Sequence, residues 1–300
     1  MLLIGENIHI ISKSVKEAIS TKDVGFIKNL LDIQKNMNCV DLNIGPARNG
    51  SIYEWLVPFV KKNSNLPISF DTTNYDEMKL GLELFNNNEN CFINSASADR
   101  FDNIADLALE HNANLILLTL KGGIPKTADG RLEIAFELYE KCLEKGLNPD
   151  KLYFDPLVLP LSADQNQAIE AINTIRMIKE SFDPPVKTVV GLSNVSNGSP
   201  SEIRPLINRV FACFAHGAGL DAAIIDSKDT ELVRIFNMLE QGVPEKEEDS
   251  LYIRISDTIK DFGEVSEIEY NQDSELEQKI IKTAAVISGD KIYSHSFTQI

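Results

Sequence analysis

The chain has 300 residues, 43% of them hydrophobic, and a formal net charge of −16 at pH 7. This length suits one large domain or two small ones, and an α/β barrel of roughly 250 residues would use most of it. An acidic surface repels phosphate backbones, so the charge argues against a nucleic-acid-binding protein.

The sequence has no pattern typical of a membrane protein or of a disulfide-rich secreted one. No apolar run approaches the roughly 20 residues of a membrane-spanning helix, and the first residues enter a strand pattern without the basic region of a signal peptide. The four cysteines lie far apart and form no CxxC pair: Cys39, Cys91, Cys142 and Cys213. We therefore expect a cytoplasmic protein without a zinc knuckle or a disulfide framework.

Short apolar runs that predict strands alternate with longer patterns that predict helices. The predicted strands are Leu2–Glu6, Cys39–Gly45, Pro67–Thr73, Cys91–Ser97, Asn114–Leu120, Lys151–Leu159, a run that begins at Lys187, and Asp221–Asp226. The predicted helices between them are Ser14–Lys35, Ser51–Lys62, Tyr75–Phe85, Asp102–His111, Asp129–Lys145, Asp164–Phe182 and one that begins near Arg204. Eight such units, without the glycine-rich phosphate turn of an open doubly wound sheet, predict a closed (β/α)8 TIM barrel, with residues 1–300 as a single domain.

Residues 243–273 form an acidic segment that the barrel pattern does not include. From Glu245 to Asp273 the segment holds ten acidic residues against three basic ones. Because Leu251–Ile255 alternates between apolar and polar side chains, we predict a hairpin or strand pair inserted into the last helical region, after a helix over Thr230–Leu239. A solvated loop is the alternative interpretation.

Polar side chains stand at the end of nearly every predicted strand. They are Glu6, Asn7, Asp41, Asn43, Asp71, Asn94, Thr119, Lys121, Asp155, Ser193, Asn194 and Asp226. In a parallel barrel the carboxyl ends of the strands meet at one mouth, where the chemistry collects. A single aspartate in this position usually caps the next helix, whereas a ring drawn from all the strands predicts a polar pocket.

The residue types in this ring point away from several kinds of catalysis. No serine or cysteine stands beside a recognisable base, His9 is the one histidine near the ring, and the scattered carboxylates give little reason to expect a metal. Carboxylates and carboxamides suit a flat heterocycle with alternating donors and acceptors, because a carboxylate accepts two parallel N–H bonds and an amide both donates and accepts. Phe70, Phe154 and Ile224 are expected to cover the faces of its ring.

Several motifs in a fixed order resemble those of the methyltetrahydrofolate:corrinoid methyltransferases. The motifs are Asp71-Thr-Thr-Asn, Ile93-Asn-Ser, Tyr153-Phe-Asp-Pro-Leu-Val-Leu-Pro160, Gly191-Leu-Ser-Asn-Val-Ser196, Arg204-Pro-Leu-Ile-Asn-Arg209 and Gly219-Leu-Asp-Ala-Ala-Ile224. That family consists of pterin-binding TIM barrels related to dihydropteroate synthase and to the folate domain of cobalamin-dependent methionine synthase. The resemblance covers Leu2 to about Met238 and resumes over Lys279–Phe297.

The resemblance implies an SN2-like transfer of the N5-methyl group between 5-methyltetrahydrofolate and the cobalt of a corrinoid (cobalamin) carried on a separate protein. Asn194 would contact N5 as a catalytic residue, with Asp71 and Asn94 feeding a proton to that atom. The implied substrate-binding residues are Asp71, Asn94, Asp155, Gly191, Ser193, Asn197, Arg204 and Ile224, and Asn43 at the tip of the second strand is expected beside them. No metal is expected on this chain.

The implied partner is either the corrinoid iron–sulfur protein of acetyl-CoA formation or the corrinoid protein of an O-demethylase or methylamine system. A homodimer is expected by resemblance alone, and the direction of transfer stays open. Two positions depart from the family pattern: the first strand reads Gly5-Glu-Asn-Ile-His9 where Gly-Glu-Arg-Ile-Asn is common, and Asn197 stands where glutamine is common. Both lie near the mouth, so the corrinoid partner or the glutamate tail of the folate is where this chain is expected to differ.

Two other functions fit the same pocket. A dihydropteroate synthase would add a pyrophosphate site built from basic residues, for which Lys121, Lys187 and Arg204 are the candidates. A non-enzymatic folate-binding protein would hold methyltetrahydrofolate without removing its methyl group.

Overall fold

Eight parallel strands close into a barrel in the computed structural model, which describes residues 1–46, 51–86 and 90–299. The strands are β1 (Leu2–His9), β2 (Cys39–Asn43), β3 (Ile68–Asp71), β4 (Phe92–Ala96), β5 (Asn114–Leu118), β6 (Leu152–Asp155), β7 (Lys187–Gly191) and β8 (Ala222–Ile225). Each strand pairs with the next, and β8 returns to β1 with Leu2 opposite Ala222. The predicted (β/α)8 TIM barrel is confirmed.

Helices surround the barrel and connect its strands. They are α1 (Lys13–Thr21), α2 (Val24–Ile33), α3 (Tyr53–Asn63), α4 (Tyr75–Phe85), α5 (Phe101–Glu110), α6 (Ala128–Glu144), α7 (Asn166–Ser181), α8 (Arg204–Gly217), α9 (Thr230–Gln241), α10 (Asp249–Lys260) and α11 (Glu275–Ser288). Within the described ranges, no helix is both long enough and apolar enough to cross a membrane.

The helix predicted over Ser14–Lys35 is two helices, α1 and α2. Lys22 adopts a left-handed conformation with φ of 53° that ends α1. The Asp23 carboxylate then accepts the Phe26 N–H at 3.0 Å and caps the start of α2. The N-cap residue Asp23 therefore divides the predicted helix in two, although the apolar helical pattern continues through it.

Strand alternation divides the side chains between the barrel interior and the surrounding helices. The inward side chains from the first residues of the strands pack into one apolar cluster: Ile4, Cys39, Phe92, Ile116, Tyr153, Val189 and Ala222. Outward side chains such as Val40, Leu42 and Phe70 pack against the helices instead. Because the lower interior is filled, the carboxyl-terminal mouth is the end that leaves room for a site.

The acidic segment 243–273 contains a helix, so the predicted hairpin is wrong. Leu251–Ile255, the predicted strand, lies inside α10. Leu251, Tyr252, Ile255 and Ile259 are buried, which is the spacing of one apolar helix face. A run of five alternating residues is compatible with a strand and also with a helix. The longer pattern of apolar residues through Ile259 fits the helical period of 3.6 rather than the strand period of 2.

A buried ion pair fixes the start of α10 against α9. The Asp249 carboxylate accepts hydrogen bonds from both terminal nitrogens of Arg234, at 2.6 and 2.7 Å. The N–H groups of Glu245 and Lys246 donate to the same carboxylate at 2.8 and 2.9 Å. Since the Asp249 side chain is fully buried, these four donors supply the hydrogen bonds that water would otherwise provide.

Gly217, at the end of α8, gives a direct test of how α10 is packed. A Cβ at this position would lie 2.3 Å from the backbone oxygen of Ser256 in α10. Gly217→Ala is therefore expected to lower the free energy of unfolding by about 1–3 kcal/mol, the usual cost of overpacking. Gly123→Ala is the matched control, because nothing lies within 4 Å of its added Cβ. Urea unfolding followed by circular dichroism measures both variants, and equal stabilities would contradict the contact between α8 and α10.

Candidate active site

A cavity of about 950 Å³ opens at the mouth formed by the carboxyl ends of the strands. This volume lies at the upper end of the range for small-molecule pockets, about 300–1,000 Å³. Every residue to which the sequence assigned a catalytic or substrate-binding role lines this cavity: Asn43, Asp71, Asn94, Asp155, Gly191, Ser193, Asn194, Asn197, Arg204 and Ile224. Closure of the barrel thus brings residues from β2, β3, β4, β6, β7 and β8 around one space.

Three members of the predicted ring are absent from the cavity lining. Asn7 is buried and its Nδ2 donates to Asp226 Oδ1 at 2.5 Å. Thr119 is buried and donates its hydroxyl to the Asp155 carbonyl at 3.1 Å, and the Lys121 ammonium pairs with Glu137 at 2.7 Å. β5 ends at Leu118, before either residue. Among the described residues, β5 therefore contributes nothing to the cavity wall.

The apolar faces of the cavity were predicted less well than its polar groups. Ile224 lines the cavity, but Phe70 lies edge-on to Tyr53 on the outside of the barrel, with ring centroids 5.4 Å apart. Phe154 likewise stacks on Phe182 at 5.6 Å. The expectation for Phe70 and Phe154 is wrong because each precedes an inward aspartate, and successive side chains of a strand point to opposite faces.

Two carboxyl groups share a buried corner of the cavity at the tips of β2 and β3. Ser69 Oγ and Asn94 Nδ2 donate to Asp41 Oδ1 at 2.5 and 3.4 Å, and Asn43 Nδ2 donates to Asp71 Oδ2 at 2.5 Å. Burial, and then the neighbouring Asp71 charge, raises the pKa of Asp41 well above its usual range. Burial raises the pKa of Asp71 to about 6. The pair therefore keeps a proton to higher pH than isolated carboxyl groups would.

A third carboxyl group, Glu6, lies where β1 meets the segment after β7. Ser193 Oγ donates to Glu6 Oε1 at 2.7 Å. Burial raises the pKa of Glu6 to about 7 although the Ser193 hydroxyl opposes the shift, and the nearby Asp226 charge adds to it. Glu6 consequently changes its charge near neutral pH, inside the cavity.

The Asp155 carboxylate accepts a hydrogen bond from one backbone group and feels the charge of one buried cation. Leu157 N–H donates to Asp155 Oδ1 at 2.7 Å. Burial raises the pKa of Asp155 to about 7, opposed by this hydrogen bond and by the charge of Arg131. Arg131 is fully buried; it donates to the Pro125 carbonyl and to Gln167 Oε1 at 3.2 and 2.6 Å, and its Nη1 atom has no partner. A ligand N–H group facing Asp155 would favour the ionised carboxylate further.

A short chain of amides orients Asn194, which lies in a 3₁₀ turn over Leu192–Ser196. Arg204 Nη2 donates to Asn197 Oδ1 at 3.0 Å, and Asn197 Nδ2 donates to Asn194 Oδ1 at 3.2 Å. Gly191 leaves the space that this arrangement needs, since a Cβ there would lie 2.9 Å from Asn194 Nδ2. The carboxamide of Asn194 is thus held by its neighbours at the edge of the cavity.

The cavity includes residues to which the sequence gave no specific role. Glu6, Asp41 and Asp226 belong to the predicted polar ring, whereas His9, Asn208, Arg209 and Lys228 do not. Strand register brings Asp41 beside the assigned residues, because β2 and β3 pair Asp41 with Ser69 and Asn43 with Asp71. Asn208 follows Arg204 by four residues, the spacing that puts both on one face of α8. The positions of His9, Arg209 and Lys228 follow from tertiary packing alone.

The site combines carboxyl groups that exchange protons near neutral pH with carboxamides held in fixed orientations. Such a surface can bind a polar ligand rich in nitrogen and can donate a proton to it. Within the part of the chain that the structure describes, no group of three or more His, Cys, Asp or Glu side chains is arranged to hold a metal ion.

Two known proteins resemble the chain over about three-quarters of its length. The methylcorrinoid:tetrahydrofolate methyltransferase of Eubacterium limosum is 25% identical over 242 residues, which cover 78% of this chain and 88% of that protein. The methionine synthase of Mycobacterium leprae is 30% identical over 249 residues, which cover 75% of this chain. The aligned region is 20% of that enzyme, so the chain spans about a fifth of a methionine synthase.

Solved structures with a similar barrel include dihydropteroate synthases. The enzyme from Xanthomonas albilineans with 4-aminobenzoic acid has a TM-score of 0.59 at 14% identity and covers 81% of this chain and 93% of its own. The 7,8-dihydropteroate synthase of Vibrio fischeri has a TM-score of 0.58 at 13% identity, covering 81% and 94%. Identities this low show the fold alone.

The sequence model of the family described as pterin binding enzyme matches residues 50–226, which are more than half of the chain. The chain therefore belongs to the pterin-binding enzyme family.

Proposed function

We propose that this protein transfers a methyl group between N5 of 5-methyltetrahydrofolate and the cobalt of a corrinoid held by a separate protein. The observation that carries the proposal is the oriented carboxamide of Asn194 in the same cavity as the hydrogen-bonded carboxyl groups of Asp41 and Asp71. Two relatives support the substrates: one is named for a methylcorrinoid and tetrahydrofolate, and the other is a methionine synthase.

The polar edge of the pterin is assigned to Asp155, Asn94 and Asp71. Leu157 N–H occupies one oxygen of Asp155, which leaves the second to accept N–H groups from the ligand. Asn94 directs its Nδ2 toward Asp41, so its carbonyl oxygen can accept a ring N–H. These residues lie deep in the mouth, and the bicyclic ring would then extend toward Gly191 and Asn194.

Cleavage of the N5–methyl bond depends on a proton at N5, because an uncharged tertiary amine is a poor leaving group. Burial keeps the Asp41–Asp71 pair protonated to higher pH than isolated carboxyl groups, and Asn43 and Asn94 join the pair to the cavity. In the observed orientation Asn194 Oδ1 accepts from Asn197, so Asn194 Nδ2 can donate to unprotonated N5. Rotation of the carboxamide, with loss of the Asn197 hydrogen bond, would let Oδ1 accept from protonated N5, and this is the role proposed for Asn194. General-acid assistance of this kind typically contributes ~10²–10⁴ in rate.

In the proposed step, one bond breaks as another forms. The carbon–nitrogen electron pair stays on N5, which retains its proton, while the electron pair of cobalt(I) forms the new carbon–cobalt bond. The products are tetrahydrofolate and a methylated cobalt(III) corrinoid. The relative from Eubacterium limosum is named for the reverse direction, from methylcorrinoid to tetrahydrofolate. The same residues serve both directions, since N5 gains or loses the same proton.

The basic residues argue against a dihydropteroate synthase. Of the three considered for a pyrophosphate site, Arg204 lines the cavity. Lys187 instead donates to the Asp150 carbonyl at 2.6 Å, beside the amino-terminal end of β7, and Lys121 pairs with Glu137. A pyrophosphate group would need these charges together, so methyl transfer is the better-supported function.

Direct assay with free cob(I)alamin tests the proposal. The protein is mixed with 5-methyltetrahydrofolate and cob(I)alamin, and methylcobalamin is followed by its absorbance. Formation of methylcobalamin supports methyl transfer. Folate binding without demethylation indicates a folate carrier, and release of pyrophosphate from a pterin pyrophosphate in the presence of 4-aminobenzoate indicates a synthase.

Asn194→Ala is expected to slow single-turnover methyl transfer by ~10²–10⁴ with little loss of folate affinity, because its contact matters when the charge on N5 changes. Stopped-flow absorbance measures the rate and isothermal titration the affinity. Asn173→Ala, the same change on α7 outside the cavity, is expected to keep both values. A wild-type single-turnover rate in Asn194→Ala would remove Asn194 from the mechanism.

Asp155→Ala is expected to lower folate affinity more than the transfer rate, which is the opposite of Asn194→Ala. Hydrogen bonds to a charged group contribute about 1.5–3 kcal/mol, so the affinity for 5-methyltetrahydrofolate should fall about ten- to a hundredfold. The rate at saturating folate should change less, since Asp155 holds the edge of the ring far from N5. Normal affinity combined with slow transfer would instead place Asp155 in the chemical step.

The contribution of Glu6, Asp71 and Asp155 to thermal stability without ligand is expected to fall as pH rises from about 5 to about 8. The pKa values of Glu6, Asp71 and Asp155 are raised to about 7, 6 and 7, so the native state keeps protons that the unfolded chain has already released. That stabilisation is complete below the unfolded pKa values and is lost as pH passes the native ones.

Glu6→Gln should reduce the slope of melting temperature against pH, because it removes one of these groups. Glu133→Gln, on an exposed position of α6, should keep the wild-type slope. Melting curves by circular dichroism across this range decide the matter. A wild-type slope in Glu6→Gln would mean that Glu6 does not titrate near neutral pH.

A further inference from the structure

Residues 289–299, the strap, follow α11 and lie against two of the connections that leave the carboxyl ends of the strands. Lys291 N–H donates to the Ala285 carbonyl at 2.8 Å, which fixes the start of the strap to α11. Gln165, at the start of α7, then bonds the strap twice: its Oε1 accepts the Tyr293 N–H at 2.7 Å, and its Nε2 donates to the Lys291 carbonyl at 2.9 Å. The backbone of the strap is thus attached to the connection between β6 and α7.

Tyr293 joins the strap to a second connection, the one between β7 and α8. Its hydroxyl lies 2.7 Å from Ser199 Oγ. Its ring contacts the rings of His295 and Phe297, with centroids 5.9 and 5.7 Å away. Because packing holds the ring and Gln165 holds the backbone N–H, the hydroxyl offers Ser199 a partner in a fixed position.

Ser199 belongs to a turn-rich connection, residues 197–203, between the 3₁₀ turn and α8. Ser162 Oγ, from the connection between β6 and α7, donates to the Asn197 carbonyl at 2.7 Å. Gly198 has a φ of 77°, and a Cβ there would lie 2.6 Å from the same Ser162 Oγ. Ser199 N–H donates to the Ser196 carbonyl at 3.1 Å. Residues 197–199 are therefore fixed on one side by Ser162 and on the other by Tyr293.

These three residues include the amide that orients Asn194. Asn197 Nδ2 donates to Asn194 Oδ1 at 3.2 Å, and Asn197 N–H donates to the Asn194 carbonyl at 3.1 Å. A shift of Ser199 would move Asn197, two residues earlier, and with it the carboxamide of Asn194. A misplacement of about 1 Å at a reacting group can cost on the order of 10²-fold in rate.

We propose that Tyr293 is a positioning residue for methyl transfer, holding Asn197 through Ser199 and thereby keeping the carboxamide of Asn194 directed at N5. The proposal rests on the proposed function and extends it to the strap, although none of the described residues 289–299 lines the cavity. A hydroxyl that only supported the fold would affect stability without any dependence on Asn194.

Three variants separate positioning from support of the fold. Tyr293→Phe removes the hydroxyl and keeps the ring, and Ser199→Ala removes the partner of the same hydrogen bond. Tyr270→Phe is the matched control, because it removes a hydroxyl from another half-buried tyrosine, before α11. Single-turnover transfer from 5-methyltetrahydrofolate to cob(I)alamin gives the rate, isothermal titration gives the folate affinity, and melting temperatures establish that each variant is folded.

Tyr293→Phe and Ser199→Ala are each expected to slow transfer about two- to tenfold, the range that the loss of one neutral hydrogen bond allows, with folate affinity unchanged. The double variant should be no slower than either single variant, because both changes remove one shared bond. Tyr293→Phe should add nothing in an Asn194→Ala background, since the group that it positions is then gone. Tyr270→Phe should keep the wild-type rate.

Two results would overturn the role of Tyr293 and leave the proposed function standing. One is a wild-type transfer rate in Tyr293→Phe, whatever its melting temperature. The other is an equal loss of rate with and without the Asn194 side chain, which would show that Tyr293 acts on another part of the site. Absence of transfer by the wild-type protein would reject the proposed function together with the positioning role.

Discussion

The cost of removing carboxyl groups from water governs the chemistry at the mouth of this barrel. An apolar cluster fills the lower interior of the barrel, so the acids at the strand tips lie above apolar side chains and are shielded from solvent on that side. Glu6, Asp41, Asp71 and Asp155 respond by keeping protons at higher pH than usual. Acids with raised pKa values suit the proposed protonation of N5 and the later recovery of that proton.

The outer helices support the residues that face this acid group. α10 packs on the end of α8 through Gly217 and joins α9 through the Arg234–Asp249 pair. α8 in turn presents Arg204, which begins the chain of amides to Asn194. A second support comes from the carboxyl-terminal residues, where the Tyr293 hydroxyl lies 2.7 Å from Ser199 Oγ in the segment between β7 and α8. The acidic segment is thus part of the framework behind the site, although it contributes no predicted catalytic residue.

The fold and most of the site could be predicted from the sequence because strand ends are fixed by local patterns. Once eight βα units are counted, every residue at a strand tip must face the same mouth, which is why Asn43, Asp71, Asn94 and Asp155 were placed together correctly. The prediction that Phe70 and Phe154 line the cavity was wrong. Each is next in sequence to an inward aspartate, and adjacent side chains of a strand point to opposite faces of the sheet.

Other features depended on interactions that no local pattern encodes. α10 was predicted as a hairpin since five residues do not separate a period of 2 from one of 3.6, and its N-terminal carboxylate is satisfied by α9, earlier in the chain. The raised pKa values of Asp41 and Asp71 depend on strand register and burial. These quantities appear only when the chain is folded.

A crystal structure of the protein with bound 5-methyltetrahydrofolate tests the central claim most directly. The account predicts the polar edge of the pterin against Asp155, Asn94 and Asp71, with the Asn194 carboxamide within hydrogen-bonding distance of N5. Folate bound outside the mouth, or bound in it with N5 directed away from Asn194, would contradict the account.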